Sequence, residues 1–186
     1  TPPKPETLED FLPLALYFDN DEPDRRTRRT FTKKAYGTTY EKYYSKKQEY
    51  ISEFIKPVDE EDKFEAEQAV EDFFEDEVKK GFDHLFLFSD ILLKRLEKGD
   101  EVEIFIKGYT SPRAKSDYNL SLGKRRVSSL KNHFENYQNG IFKSYLDSNK
   151  LKISEVSFGE TKADTKVSDV LEDLRGSIYH PSAARE

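Results

Sequence analysis

The chain of 186 residues contains no cysteine, no methionine and no tryptophan, and it has three histidines. Without cysteine, disulfide bridges and thiolate metal sites are excluded, and three scattered histidines offer little material for a nucleophile–base pair. No apolar run approaches the roughly 18 residues that a membrane-spanning helix needs. The sequence also lacks the glycine-rich loops that cradle nucleotide phosphates. We therefore predict a non-catalytic protein with no cofactor and no metal.

The chain also lacks an excess of positive charge. Its 37 acidic residues outnumber its 31 basic residues, which gives a net charge of -6. This balance argues against nucleic acid as a partner, because domains that bind polyanions are usually basic. Charged residues make up 37% of the chain and apolar residues 35%, so the predicted core is small. Fourteen phenylalanines and eleven tyrosines compensate, because each aromatic ring buries a large area.

The hydrophobic pattern predicts strands that alternate with helices, and hence an α/β (α+β) sandwich in which helices cover a sheet. Strands are predicted at residues 14–18, 102–106 and 151–158, and helices at 39–55, 59–80, 82–98, 116–137 and 142–147. The basic stretch 25–38 has no apolar period and is interpreted as a solvated segment. Residues 1–13 begin with a proline-rich run and are interpreted as a linker from an upstream part of a longer protein, and residues 14–186 as one domain.

The most informative stretch runs from Ile106 to Val127 and reads IKGYTSPRAKSDYNLSLGKRRV. A strand ends at Thr110, a polar loop follows, and the next helix carries Asn119, Leu122 and Arg126 on one stripe. A second stripe, formed by Leu120, Val127, Leu130 and Phe134, is predicted to face the core. Arginine offers paired donors that match a carboxylate, so Arg126 is predicted to hold one at the sheet edge. The alternative is a surface salt bridge between Arg126 and Asp19 or Asp117.

This stretch resembles the signature of the OmpA-like peptidoglycan-binding domain. There, Gly-x-Thr-Asp precedes Tyr-Asn-x-x-Leu-(Ser/Gly)-x-x-Arg, and Tyr118, Asn119, Leu122 and Arg126 fall in register with it. Residues 16–19, reading LYFD, are similar to the family's first-strand ending Phe-x-Phe-Asp. The resemblance implies a βαβαβ sheet covered by helices, with a helical insertion at about residues 25–80 after the first strand. It also implies a further strand, for which this sequence shows no counterpart.

The resemblance implies a ligand site for the stem peptide of peptidoglycan. Its residues would be Phe18, Asp19, Thr110, Ser111, Asp117, Asn119, Leu122 and Arg126. Arg126 would take the carboxylate of diaminopimelate. The family's aspartate, which pairs with the ammonium, is replaced by Ser111, whose neutral hydroxyl makes a weaker hydrogen bond. Asp19 or Asp117 is available in its place, and Asp19 is favoured.

The implied function is non-covalent anchoring of an outer-membrane or periplasmic assembly to the cell wall of a Gram-negative envelope. The expected location is periplasmic and outer-membrane associated. The alternative is a protein–protein interaction domain of the same fold with weak or lost peptidoglycan binding, in which the tyrosine-rich segment 40–55 docks an envelope protein. A hydrolase is disfavoured, because the residues show no base and nucleophile constellation.

Overall fold

The computed structural model describes residues 6–110 and 116–159. Its helices are α1 (Tyr36–Tyr44), α2 (Lys47–Ile55), α3 (Lys63–Phe73), α4 (Lys80–Glu97), α5 (Ser116–Asn136) and α6 (Lys143–Asp147), and its strands are β1 (Val102–Tyr109) and β2 (Leu151–Gly159). The predicted mixture of helices with a small sheet is confirmed. Ser111 and the segment after residue 159 lie outside the described residues.

Three of the predicted helices have different boundaries. The helix expected at 39–55 is two helices, α1 and α2, which are separated at Ser45 and Lys46. The helices expected at 59–80 and 82–98 form one helical stretch, because a π-helical segment, Phe74–Lys79, joins α3 to α4. Gly81, where the prediction ends one helix, lies inside α4 and permits a close contact. A methyl group on Gly81 would lie 2.4 Å from the carbonyl oxygen of Ala15.

The sheet is built from β1 and β2, which pair in parallel with Val102 opposite Leu151 and Ile104 opposite Ile153. Between the two strands the chain runs through α5, which packs against both of them. Side chains alternate along β1, so Ile104 and Ile106 turn toward the helices while Phe105 is exposed. This arrangement places the end of β1 beside α5, as the sequence predicted.

The strand predicted at residues 14–18 is wrong for the described part of the chain, where this segment has no regular secondary structure. The segment still packs against the protein, because Leu14, Leu16 and Tyr17 are half-buried and Phe18 is buried, while Ala15 is exposed. A strand needs a neighbouring backbone with which to exchange hydrogen bonds, and among the described residues no neighbouring strand pairs with this segment.

One hydrophobic core joins the helices to the sheet. Rings from α1, α2 and the π-helical segment meet inside it, and Tyr36, Tyr43 and Phe74 are fully buried. The helices between residues 36 and 80 therefore share this core with α4, α5 and β2. None of the described helices has the length and apolar composition needed to cross a lipid bilayer.

Candidate functional site

The predicted site lies where the end of β1 meets the first turns of α5. The two elements approach each other closely at Gly108 and Gly123. A methyl group on Gly108 would lie 2.6 Å from the carbonyl oxygen of Gly123 and 3.0 Å from a methyl carbon of Val127. Only glycine permits this approach, which brings Tyr109 and Thr110 next to the buried face of α5.

The Arg126 side chain lies inside the protein, with an exposed fraction of 5%. Its Nη1 donates to the carbonyl oxygen of Tyr109 at 2.8 Å, and its Nε donates to that of Glu22 at 3.2 Å. The guanidinium carbon also lies 5.3 Å from the centre of the Phe18 ring. Arg126 therefore joins β1, the segment before α1 and α5. Neither the open position predicted for it nor the alternative surface salt bridge describes this buried side chain.

Thr110 follows Tyr109 and is fully buried. Its hydroxyl oxygen has no hydrogen-bond partner among the described residues. Leaving a buried hydroxyl unsatisfied costs about 1–3 kcal/mol, so native proteins rarely do it without a reason. The unsatisfied hydroxyl lies one residue from the carbonyl that Arg126 binds.

Asn119, Leu122 and Arg126, which were predicted to form a ligand-binding stripe, lie together on a buried face of α5. The predicted core residues Val127, Leu130 and Phe134 are buried as well. Leu120 was predicted to belong to that core face and does not, since it is 40% exposed.

Asp19 is buried and is surrounded by donors. One carboxylate oxygen accepts from Arg25 at 2.6 Å and from Lys46 at 2.7 Å, and the other accepts from the Tyr50 hydroxyl at 2.5 Å and from the amide of Asn20 at 2.9 Å. Burial, with the charge of Asp19 added, raises the pKa of Tyr43 well above its ordinary value, and Tyr50 shifts in the same direction. A ligand ammonium would have to displace Arg25 or Lys46 to reach this carboxylate.

Asp117, the other carboxylate considered for the ammonium, lies on the first turn of α5. It pairs with Arg28 at 3.2 Å, and both side chains are exposed. Ser111, which stands where the family has aspartate, lies outside the described residues.

Most basic residues of the stretch from residue 25 are exposed, as predicted, but some of them also contact buried or half-buried acidic side chains. Arg25 contacts two buried carboxylates, those of Asp19 and Glu22. Lys34 lies 3.0 Å from Asp24. Partial burial raises the pKa of Asp24, but hydrogen bonds from Thr32 and Lys34 outweigh burial, so the pKa lies below its ordinary value. These cations therefore compensate acids that fold inward beside α5.

Arg125 was not predicted to have a role, and it is the largest fully buried side chain. Its Nε donates to the carbonyl oxygen of Pro23 at 2.9 Å, and its Nη1 donates to those of Thr27 at 2.7 Å and Arg29 at 2.9 Å. The sequence did carry a signal, because Tyr118, Arg125 and Asn132 recur every seventh residue and so share one face of α5. All three contact the segment between Asp21 and Lys34.

Within residues 6–110 and 116–159, no group of three or more histidine or acidic side chains is placed to hold a metal ion. No family model matches the chain, and neither a curated protein nor a solved structure matches it. The resemblance to the OmpA-like domain thus rests on the motif residues themselves.

Proposed function

We propose that this domain binds the stem peptide of peptidoglycan non-covalently, through the carboxylate of a diaminopimelate-type residue, and so anchors an envelope assembly to the cell wall. The observation that carries the proposal is the Thr110 hydroxyl, which is buried directly after β1 and has no hydrogen-bond partner in the described part of the chain. A ligand oxygen at this point would satisfy it.

Two further features favour an anionic group here. Arg126 binds the carbonyl oxygen of Tyr109, the residue before Thr110, so a cationic side chain lies beside this point. The N-terminus of α5, which begins at Ser116, carries the positive end of the helix dipole. A carboxylate between β1 and α5 would interact favourably with both.

For the ammonium of the same ligand residue, Asp117 is now the better candidate than Asp19. The Asp19 carboxylate already accepts four hydrogen bonds. Asp117 is held by an exposed ion pair with Arg28, and such pairs contribute only about 0–1 kcal/mol, so a ligand cation can replace Arg28.

The alternative function, docking of an envelope protein on the tyrosine-rich segment 40–55, finds no support in the positions of its rings. Tyr40, Tyr43 and Tyr50 are buried, and Tyr44 and Phe54 are half-buried. The three buried rings pack against Phe82 and Phe74 rather than facing a partner.

The proposal is tested by replacing Thr110 with valine, which keeps the shape and removes the hydroxyl. Binding is measured by co-sedimentation with purified sacculi and by calorimetry with a diaminopimelate-containing tripeptide. A hydrogen bond to a charged group contributes about 1.5–3 kcal/mol, so Thr110→Val is expected to weaken binding by roughly tenfold to a hundredfold. Its melting temperature should be unchanged or higher, because no internal hydrogen bond is lost.

Thr38→Val is the matched control, since Thr38 is exposed on α1 and belongs to none of these contacts. A tripeptide amidated at the diaminopimelate side-chain carboxylate serves as the ligand control and should bind more weakly than the free acid. Wild-type affinity in Thr110→Val would exclude the hydroxyl from the site. Failure of the unmodified chain to bind sacculi or tripeptide would end the anchoring proposal.

A further inference from the structure

A cleft of about 680 Å³ separates residues 12–18 from β1. Its floor consists of apolar side chains from α4 and α5, namely Leu85, Phe88, Val127, Leu130 and Phe134. Each wall is a continuous run of backbone, Leu12 to Phe18 on one side and Ile104 to Tyr109 on the other. The cleft is therefore a slot between two chain segments rather than a round cavity.

The β1 wall presents an unpaired strand edge. The Val102 amide donates to the carbonyl oxygen of Lys150, so Val102 directs its polar groups toward β2. In a strand, the backbone amides and carbonyls of successive residues point to opposite sides. Phe105 and Lys107 therefore direct theirs away from β2 and toward the slot. Tyr109 belongs to the same alternate set, and its carbonyl is the one that Arg126 binds. Among the described residues, nothing hydrogen-bonds to the backbone of Phe105 or Lys107 on this edge.

The opposite wall, residues 12–18, also has backbone groups without hydrogen-bond partners among the described residues. The Tyr17 amide donates to the Tyr36 hydroxyl at 3.3 Å, and that hydroxyl donates to the Tyr17 carbonyl at 3.1 Å, so Tyr17 points its backbone groups into the helical side. We infer that Leu16 and Phe18, which flank Tyr17, point theirs the opposite way, toward the slot. No hydrogen bond to the backbone of Leu16 or Phe18 is present in the described part of the chain.

The charge of the slot is of one sign. Its charged lining residues within the described part are Lys107 and Arg126. Lys107 is exposed on the outer face of β1 and makes no ion pair with any described acidic residue. A carboxylate on the outer side of an occupant would therefore meet Lys107, while apolar side chains on its inner side would meet the floor.

We propose that the slot binds an extended peptide segment of about six residues as an added strand, with apolar side chains at alternate positions and acidic side chains between them. The main-chain groups of Leu16, Phe18, Phe105 and Lys107 supply the hydrogen bonds, and Lys107 selects the charge. This site takes a different ligand from the Thr110 site. Phe18 and Arg126 border both sites, whereas Lys107 belongs to the slot.

The probe is a fluorescent peptide of three valine–glutamate repeats, added to the full chain and followed by anisotropy. Lys107→Glu should weaken its binding about tenfold and should strengthen the binding of a valine–lysine peptide by a similar factor, because an attractive surface pair becomes a repulsive one. Lys152→Glu, an equal change of charge on an exposed residue of β2, is the matched control and should alter neither affinity. Amide hydrogen exchange should slow at Leu16, Phe18, Phe105 and Lys107 when the peptide binds.

A valine–glutamate peptide with proline at its central position loses a main-chain donor and should bind more weakly than the parent peptide. The proposal is overturned if the parent peptide does not bind, if Lys107→Glu and Lys152→Glu behave alike, or if the four amides exchange unchanged. It is also overturned if the chain forms a dimer that the peptide cannot dissociate, since a second copy would then occupy the slot. Thr110→Val should bind this peptide normally, which separates the result from the peptidoglycan test.

Discussion

The hydroxyl oxygen of Ser89 on α4 lies 3.0 Å from Nε2 of His133 on α5, and both side chains are buried. Ser89 also donates to the carbonyl oxygen of Leu85 at 2.8 Å. Because the hydroxyl proton is used there, Nε2 of His133 carries the proton of the shared hydrogen bond. The neutral imidazole therefore connects two helices inside the core.

His133 should make stability dependent on pH. Burial lowers the pKa of His133 from 6.5 to about 4, so the unfolded chain takes up a proton near pH 6.5 while the folded chain does not. Stability contributed by the neutral ring is complete above pH 6.5 and is lost as pH falls toward 4. Between pH 7 and pH 5 the free energy of unfolding should fall by about 2 kcal/mol from this group. Urea unfolding of His133→Gln at both pH values should show a correspondingly smaller fall, and an equal fall would assign the effect to other groups.

Two glycine-to-alanine changes should have opposite effects on stability. Gly108→Ala places a methyl group 2.6 Å from a backbone oxygen of α5, so it should destabilise the fold by about 2 kcal/mol or more through displacement of the helix. At Gly37 in α1, the nearest atom to an added methyl group is a Phe82 ring carbon at 3.8 Å. Gly37→Ala should therefore stabilise the fold by about 0.5–1 kcal/mol through helix propensity. Thermal unfolding of both variants checks the prediction, and similar shifts would argue against close packing of α5 on β1.

Arg125→Leu should be among the most damaging single substitutions. It leaves the carbonyl oxygens of Pro23, Thr27 and Arg29 without their donor, and we expect a loss of about 3–5 kcal/mol. Arg28→Leu is the control, because Arg28 is exposed and makes a surface ion pair; its effect should stay within about 0.5 kcal/mol. Chemical denaturation measures both. A mild effect of Arg125→Leu would mean that the loop does not depend on this guanidinium.

Asp19→Asn and Asp117→Asn should separate structure from ligand binding. Asp19→Asn removes a buried charge that faces Arg25 and Lys46, so it should cost about 3 kcal/mol of stability while the folded fraction still binds sacculi. Asp117→Asn breaks an exposed pair, so it should leave stability within about 0.5 kcal/mol but weaken binding of the diaminopimelate tripeptide. The reverse pattern would return the ammonium role to Asp19.

The sequence predicted well the elements whose pattern is local. β1, α5 and β2 lie close to their predicted boundaries, because alternation and helical spacing are both visible in a single segment. Residues 14–18 form a short apolar run that is typical of a buried strand, but a strand also needs a partner, and that depends on the rest of the fold. At Gly81 the prediction failed in a different way, because this residue was placed between two helices and lies inside α4. It was interpreted as a helix boundary, whereas the structure uses it for a close contact with Ala15.

The sequence predicted which residues share a face at the candidate site better than it predicted their partners. Asn119, Leu122 and Arg126 share a face as their spacing requires. The partners of Asp19 could not be predicted, since Lys46 and Tyr50 come from a helix pair about thirty residues away whose packing no local pattern reveals. Likewise, nothing in the sequence distinguishes Arg125 from its neighbour Arg126. In the fold, Arg125 binds the loop before α1, whereas Arg126 also binds the end of β1.

The contacts between α5 and the loop from Pro23 to Lys34 limit how the molecule can open. Arg125 and Asn132 donate to five backbone carbonyl oxygens between Pro23 and Lys34. Moving that loop away would leave the buried guanidinium of Arg125 without its hydrogen-bond acceptors. Loop and helix should accordingly unfold as one cooperative unit, with the amide protection of α5 matched at the hydrogen-bonded amides of Thr32 and Lys34. A ligand must then enter between preformed walls, since hinging the loop aside would require global unfolding.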